Sequence, residues 1–481
     1  MRVCLVIEGS YPFITGGVSS WVHDLITGLP QIEFSLFTFS PEADQKVRYA
    51  LPPNVVEHRD VVLSRRDAAL RSHDAPPGAT ERVLAAHASM YAGSAPDLLG
   101  LIGTIAEGSS FHDEAMLDPR AWRLVQSQNR SHNPLYPFSD YFWAWKSSHD
   151  LIFNVLGARP PDADLYHSVS TGFAGLAALA AKIRRGTPFL LTEHGLYHKE
   201  REIEIRKATF VRGYQRDMWT RFYNKIAALC YANADLCTSL FEENRKKQIE
   251  LGALPERTVV IPNGIDMVRF SVQRSRRDDA FHVGFIGRIV PIKDVKTFLV
   301  AAKLLLERVP DSYFHLVGPD DEDEAYAKEC RALAVDLKIE DRTEFTGRKD
   351  VREYYSFLDV VALTSVREAQ PLVILEAYAA GIPVVSTDVG NVSELLEEDR
   401  RFMAAVKDPA GIAAALAYVH DNPEAMQLLA ERNRARTLAS YDKAELLARY
   451  GSLYERFSGG TTAASSGSPL AAVEETRSWQ A

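Results

Sequence analysis

A short unbroken apolar run, then a glycine-bearing loop, then helical periodicity leaves a chain few ways to fold, and this chain opens with that series. Val3-Cys-Leu-Val-Ile7 is continuously apolar, the pattern of a strand covered on both faces. The loop Gly9 to Gly17 follows, and Val18, Trp21, Val22, Leu25, Ile26 and Leu29 then recur at helical spacing. Ile32 to Phe39 supplies another strand. Elements in this order build a parallel sheet with helices on its faces, and such sheets bind ligands beyond the carboxyl ends of their strands.

The rhythm returns after an interruption. Residues 65–135 mix Ala-rich, helix-forming pieces with Pro76-Pro77, Ser109-Ser110 and a polar stretch ending at Pro134, which reads as a helical insertion. Strands are expected at 164–168, 188–192, 237–239 and 259–261, with a helix at 173–183. Gln273 to Asp279 is wholly polar and marks a domain boundary. A second series then opens with His282-Val-Gly-Phe-Ile-Gly287, followed by a helical stripe from Val295 to Val309 with Asp294 as its expected N-cap. Further strands are expected at 312–317, 343–346, 360–363 and 383–386. Two successive α/β domains follow, consistent with 481 residues at about 150 per domain.

Composition excludes several classes. Hydrophobic residues at 46% and charged residues at 25% rule out a mainly disordered or fibrous chain. A net charge of −9 gives no general basic surface for nucleic acid. Cys4, Cys230, Cys237 and Cys330 form neither a CxxC pair nor a disulfide framework, and Cys4 reads as a buried thiol. The run Val3 to Ile7 is too short for the core of a secretion leader, and no apolar stretch approaches a membrane span. The expectation is a soluble cytoplasmic protein, with docking to a membrane complex left open.

Four constellations carry chemistry. Gly16-Gly17 opens the first helix, where backbone can approach a ligand and the helix start favours negative charge; a simple tight turn is the competing reading. Arg288 follows a strand and Lys293 lies five residues later before a helix, two cations suited to a diphosphate or else a solvated pair. Thr364 to Glu376 places Glu368 on a loop and Glu376 one turn into a helix that begins near Pro371. The N–H groups near Gln370, Pro371, Leu372 and Val373 lie at that helix start and suit a phosphate. His194, in Thr192-Glu-His-Gly195, lies at a strand end and can bind a sugar hydroxyl or support leaving-group charge, unless it is a structural histidine. No metal pattern is present: Asp320 to Glu324 lacks EF-hand spacing and reads as a solvated acidic loop. Neither HExxH, GxSxG nor GxxxxGK[ST] occurs.

Taken together, Gly16-Gly17, Thr192-Glu-His-Gly195, Pro262-Asn-Gly-Ile-Asp266, Gly287-Arg288…Lys293 and Glu368…Glu376 resemble the retaining glycosyltransferase family 4. Within it, the resemblance is nearest to cytosolic enzymes of exopolysaccharide synthesis. It implies an α/β GT-B fold, two Rossmann-like domains facing each other across a nucleotide-sugar cleft. Domain 1–270 would be acceptor-side, 271–435 would bind the nucleotide sugar, helix 436–457 would return to the first domain, and 458–481 would be a disordered tail. It also implies transfer of a hexose from a UDP-sugar, UDP-glucose foremost, to a saccharide acceptor, with no metal and no tightly bound cofactor. Docking to an inner-membrane polysaccharide-export complex would fit such a role. Arg288 and Lys293 would hold the diphosphate, Glu376 the ribose and Glu368 the donor sugar or its loop. Gly17 would lie beside phosphate and sugar, and His194 near the reacting centre. Many family members carry Gly-Phe after the first Glu, where this chain has Ala369-Gln370-Pro371-Leu372. A UDP-sugar 2-epimerase or phosphorylase on the same fold, and a non-catalytic scaffold, are the competing readings.

Overall fold

The computed structural model describes residues 1–63, 78–91, 98–105, 118–132, 137–209, 211, 213–397 and 399–458. Pro76-Pro77, Ser109-Ser110, Pro134 and the tail beyond Ser458 lie outside the described residues. The chain forms two compact units, Met1–Ile261 together with Leu447–Ala481, and Pro262–Leu446.

The first unit holds seven parallel strands: β1 Arg2–Glu8, β2 Glu33–Ser40, β3 Val55–Val62, β4 Leu165–Ser168, β5 Phe189–Glu193, β6 Leu236–Ser239 and β7 Thr258–Val260. Their order is β3-β2-β1-β4-β5-β6-β7. Every residue from Val3 to Ile7 is fully buried, as an apolar strand covered on both faces must be. The helix Gly172–Arg185 packs its Ala- and Leu-rich length into the same core and ends on Gly186 in the left-handed region at φ 68°. Helices Ala79–Tyr91, Leu98–Thr104 and Pro119–His132 occupy the insertion. All four cysteines are buried and unbridged.

The helix Lys443–Ser458 brings Tyr450 and Tyr454 into this first core. Tyr454 Oη lies 2.7 Å from His167 Nδ1, while Thr192 Oγ1 lies 2.7 Å from His167 Nε2. Tyr450 Oη reaches Thr238 Oγ1 at 3.3 Å. Buried hydroxyls and imidazoles thus satisfy one another beneath β4, β5 and β6.

The second unit repeats the topology with six parallel strands: β8 Phe281–Ile286, β9 Ser312–Val317, β10 Thr343–Gly347, β11 Val360–Leu363, β12 Val384–Thr387 and β13 Met403–Ala404. Their order is β10-β9-β8-β11-β12-β13. In each sheet the strand order reverses once, between β1 and β4 and between β8 and β11. Those reversals are where a doubly wound sheet leaves its ligand crevice.

Asp294 departs from its expected role as a side-chain cap. It does precede the helix Val295–Leu306, but at φ 47° its carboxylate accepts from the Thr297 hydroxyl at 2.7 Å instead of from a backbone N–H. Two strands escape a reading based on apolar runs. β3 is an edge strand reading VVEHRDVV, and β13 is two residues long.

Candidate functional site

The second sheet gathers its charged residues at the β8/β11 reversal. Gly287 follows β8 at φ 154°, and a Cβ on Gly318, the residue after β9, would sit 2.0 Å from the Gly287 carbonyl oxygen. Only glycine at that position lets the two strand ends lie together. Arg288 emerges there with its guanidinium half-exposed, and its Nη1 meets Glu322 Oε1 at 2.5 Å. The acidic run is thereby shared out: Glu322 takes Arg288, Asp320 takes Arg331 at 2.6 Å, and Asp323 caps the Tyr326 N–H at 3.0 Å. Among the described residues, no cluster of three or more His, Cys, Asp or Glu could hold a metal ion.

Lys293 closes a short 3-10 turn, Pro291–Lys293, and is far more enclosed. Its Nζ lies 2.5 Å from Glu368 Oε1, with side-chain exposures of 19% and 15%, and Ser365 Oγ donates to the same oxygen at 2.7 Å. The loop after β11 is pinned to this turn. Thr364 Oγ1 donates to the carbonyls of Lys293 and Asp294 at 3.1 and 3.0 Å, and the Val366 N–H to Ile292 O at 2.9 Å. From the other side Gly390, at φ 58°, presses on the same loop; a Cβ there would stand 2.4 Å from the Glu368 carbonyl oxygen.

Pro371 precedes the helix Leu372–Ala379, whose first amides, Leu372 and Val373, have no carbonyl one turn earlier to bond. Glu376 lies in that helix and accepts from Tyr355 Oη at 3.0 Å. Burial pushes its carboxyl above the usual carboxylate range, opposed by that hydrogen bond and by the Arg269 guanidinium. The Gln370 side chain is engaged within its own unit. Its Oε1 accepts from the Asn263 N–H at 2.7 Å and its Nε2 donates to Asn263 O at 3.1 Å, tying the Pro262–Asp266 segment to the Glu368 loop.

The first sheet presents a different edge. Gly16 has extended backbone, φ 174° and ψ 177°, and a Cβ on Gly16 or on Gly17 would meet no described atom within 4 Å. Neither conformation nor packing inside the unit demands glycine there. His194 follows β5, its ring 4.6 Å from that of Trp21 in an edge contact, and its Nε2 is buried without a partner. Burial lowers the His194 pKa to about 4, so the imidazole is neutral near pH 7. Trp21 in turn packs its edge on Tyr450 at 5.2 Å.

Two carboxylates close strands of this sheet, Glu193 beside the histidine in sequence and Glu8 on β1, and motifs reveal neither. Glu8, ending β1, accepts from the Phe173 and Ala174 N–H groups at 2.9 and 3.4 Å and from the Tyr197 hydroxyl. Glu193, ending β5, accepts from Thr171 Oγ1, the Tyr197 N–H, Gln248 Nε2 and the Tyr231 hydroxyl. Burial pushes both carboxyl groups upward. An acidic residue closing an otherwise apolar strand was the available signal.

Comparison with known proteins fits this division. Residues 1–256 match the family described as Domain of unknown function (DUF3492). The chain belongs to that family. Residues 280–422 of this DUF3492 protein match Glycosyl transferases group 1, the domain that carries Arg288, Lys293, Glu368 and Glu376. D-inositol 3-phosphate glycosyltransferase of Thermomonospora curvata is 28% identical over 305 residues, 58% of this chain and 69% of that protein. UDP-Gal:alpha-D-GlcNAc-diphosphoundecaprenol alpha-1,3-galactosyltransferase of Escherichia coli is 27% identical over 291 residues, 56% of this chain and 69% of that one. Among solved structures, Anabaena HepE in complex with UDP has TM-score 0.61 at 17% identity, covering 95% of this chain and 100% of its own. Sucrose-phosphate synthase from Thermosynechococcus elongatus has TM-score 0.59 at 17% identity, covering 95% and 98%. The fold is thus that of GT-B glycosyltransferases, two Rossmann-like α/β domains, and the DUF3492 protein is a glycosyltransferase with a group 1 domain. Among the described residues, no helix is long and apolar enough to cross a membrane.

Proposed function

We propose that the protein is a retaining, metal-independent hexosyltransferase. It would take its sugar from a UDP-sugar, UDP-glucose foremost, and pass it to a growing exopolysaccharide in the manner of PelF, the cytosolic transferase of the Pel system. The observation that carries this reading is the grouping of Lys293, Glu368 and the start of helix Leu372–Ala379 at the β8/β11 reversal, with Arg288 at the end of β8. Cleaving a sugar–phosphate bond leaves negative charge on the nucleoside diphosphate. Two cations and unpaired helix amides can take up that charge without a divalent ion.

Roles follow from the surroundings. Arg288 and Lys293 bind the diphosphate, each exchanging its carboxylate for phosphate oxygens. Leu372 and Val373 offer main-chain N–H groups to the same anion, and Gln370 and Pro371 shape the approach. Glu376, oriented by Tyr355, accepts the ribose hydroxyls. Glu368, once Lys293 turns to phosphate, faces the donor sugar. His194 acts as a neutral hydrogen-bonding group at the reacting centre, and the open space at Gly16 and Gly17 admits phosphate and sugar to the backbone. HepE of the same fold has been solved with UDP-glucose, which supports the donor class. PelF-like tethering to an inner-membrane export complex belongs to this proposal.

Calorimetry with UDP, GDP and ADP, with and without chelator, followed by turnover with the matching donors, tests it. UDP is expected to bind best, chelation to leave affinity intact, and sustained turnover to need a saccharide acceptor. Conversion of a UDP-sugar with no acceptor would replace a transferase by an epimerase.

A further inference from the structure

The helix Phe138–Gly157 buries Tyr141, Ala144, Trp145, Ser148 and Ile152, yet leaves Trp143 63% exposed. Trp143 borders a cavity of about 550 Å³ between this helix and the segment that leads into helix Gly213–Asn233. One wall is Asp140, Trp143 and Ser147, the other Val211, Gln215 and Trp219. Spacings of three and four residues put Asp140, Trp143 and Ser147 on one helical face and Gln215 and Trp219 on another, with Val211 preceding the second helix. The second indole is held firmly: Trp219 is half-buried, stacked on Tyr223 at 6.0 Å and in edge contact with Phe222 at 5.4 Å.

We propose that this cavity binds a stretch of glycan, with the exposed indole of Trp143 as its stacking platform and Trp219 as a fixed second wall. A pyranose has one apolar C–H face and a rim of hydroxyls. The face stacks on an indole, and the rim needs donors and acceptors beside it. Two indoles in an open groove, next to a carboxylate, a hydroxyl and a carboxamide that would share the bonds Ser147 makes to Ala144 O and Gln215 to Tyr214 Oη, match that need. Protein interfaces also favour tryptophan, so a protein partner is an outcome that the test must separate from glycan. The site stands on helices and joins the strand-end cluster through Tyr223, whose ring lies 5.9 Å from that of Tyr197, so it suits units of a polymer next to the one that reacts. This rests on the reading that the enzyme hands sugar to a saccharide acceptor.

The full chain is titrated with cellohexaose, chitohexaose and maltohexaose, followed by tryptophan fluorescence and calorimetry, with UDP titrated in parallel. At least one hexasaccharide is expected to bind, and Trp143→Ala to weaken it tenfold or more. Trp143→Phe, which keeps an aromatic ring, should recover part of that loss. Both variants should bind UDP within twofold of the unaltered protein and unfold at its midpoint, since the side chain is exposed. Hexasaccharide binding that ignores Trp143→Ala, or none at millimolar sugar, overturns the site; loss of a co-purifying protein in its place would make it a protein-docking surface. UDP binding is read separately. A chain that binds glycan through Trp143 but not UDP would sink the donor assignment and leave this site standing.

Discussion

At the carboxyl edge of the first sheet, Glu193 is buried and Glu8 half-buried, and each is held by several hydroxyl, amide or backbone donors from segments across the unit. At that of the second, Lys293 and Arg288 each face a carboxylate within reach of solvent. The difference separates scaffold from ligand handling. A carboxylate holding several buried donors cannot change partners without leaving them unsatisfied, so the first edge is built to keep one shape around His194. A cation holding one carboxylate can exchange it for phosphate, so the second edge is built to be re-partnered. Even within the second edge the two pairs are unequal, because Arg288 is 48% exposed and Lys293 only 19%.

The largest expected effect tests the fixed edge. Glu193→Ala leaves Tyr231, Gln248 and Thr171 without their acceptor and should cost about 3–5 kcal/mol in urea unfolding. A cost as small as that of Glu322→Ala would erase the distinction between the edges. Acid should probe the same edge next. His167 and His194 are held neutral by burial, with pKa values near 3 and 4, while an unfolded chain protonates histidine near 6.5. Below about pH 6.5 the unfolded chain therefore binds more protons, and stability of the first unit should fall as pH falls toward 4, by about 1.4 kcal/mol per unit for each histidine at most. Glu8 and Glu193, held upward, act in the opposite sense, so the histidine share is read against His167→Gln and His194→Gln. A pH dependence unchanged in both variants would mean that the imidazoles are not enclosed.

His194→Ala should lower kcat by about 100-fold, the scale of one transition-state hydrogen bond, with UDP affinity unchanged. Normal turnover would remove His194 from the chemistry. Next, Lys293→Ala and Arg288→Ala should each weaken UDP by about 10- to 150-fold. Their stabilities should differ: losing Lys293 strands Glu368 and costs about 1–3 kcal/mol, whereas the exposed Arg288 pair is worth about 1 kcal/mol or less. Equal unfolding costs would show that enclosure does not distinguish the two pairs. Smallest of all, Glu322→Gln frees Arg288 and should tighten UDP by about two- to threefold.

Much of this was legible because burial on both faces writes itself into sequence as an unbroken apolar run: β1, β9 and β11 lie within a residue of where such runs put them. β3 was not, since an edge strand with half-exposed residues can carry Glu57, His58, Arg59 and Asp60. The same contrast governs the site. Arg288, Lys293, Glu368 and Glu376 stand after strands or at a helix start, positions that the apolar runs of β8 and β11 mark in the sequence. Glu8 meets Phe173 and Tyr197, and Arg288 meets Glu322, across separations that no local pattern encodes. The Gln370 side chain likewise meets the Asn263 backbone 107 positions away, a tie that leaves the main chain of its loop, the part expected near a phosphate, uninvolved.

Tyr450 and Tyr454 reach the first core only after every residue of the second unit has been made. During synthesis β4, β5 and β6 emerge early, yet the tyrosine hydroxyls that reach His167, Thr192 and Thr238 emerge only after the second unit. Pro262 to Leu446, contiguous in the chain, can close first. The unit that begins the polypeptide is therefore the one that finishes folding, and a chain released before Leu447 would carry an open seam under Trp21. The sheet bearing His194 thus takes the tyrosine partners of His167, Thr192 and Thr238 from residues that follow the whole second unit in the chain.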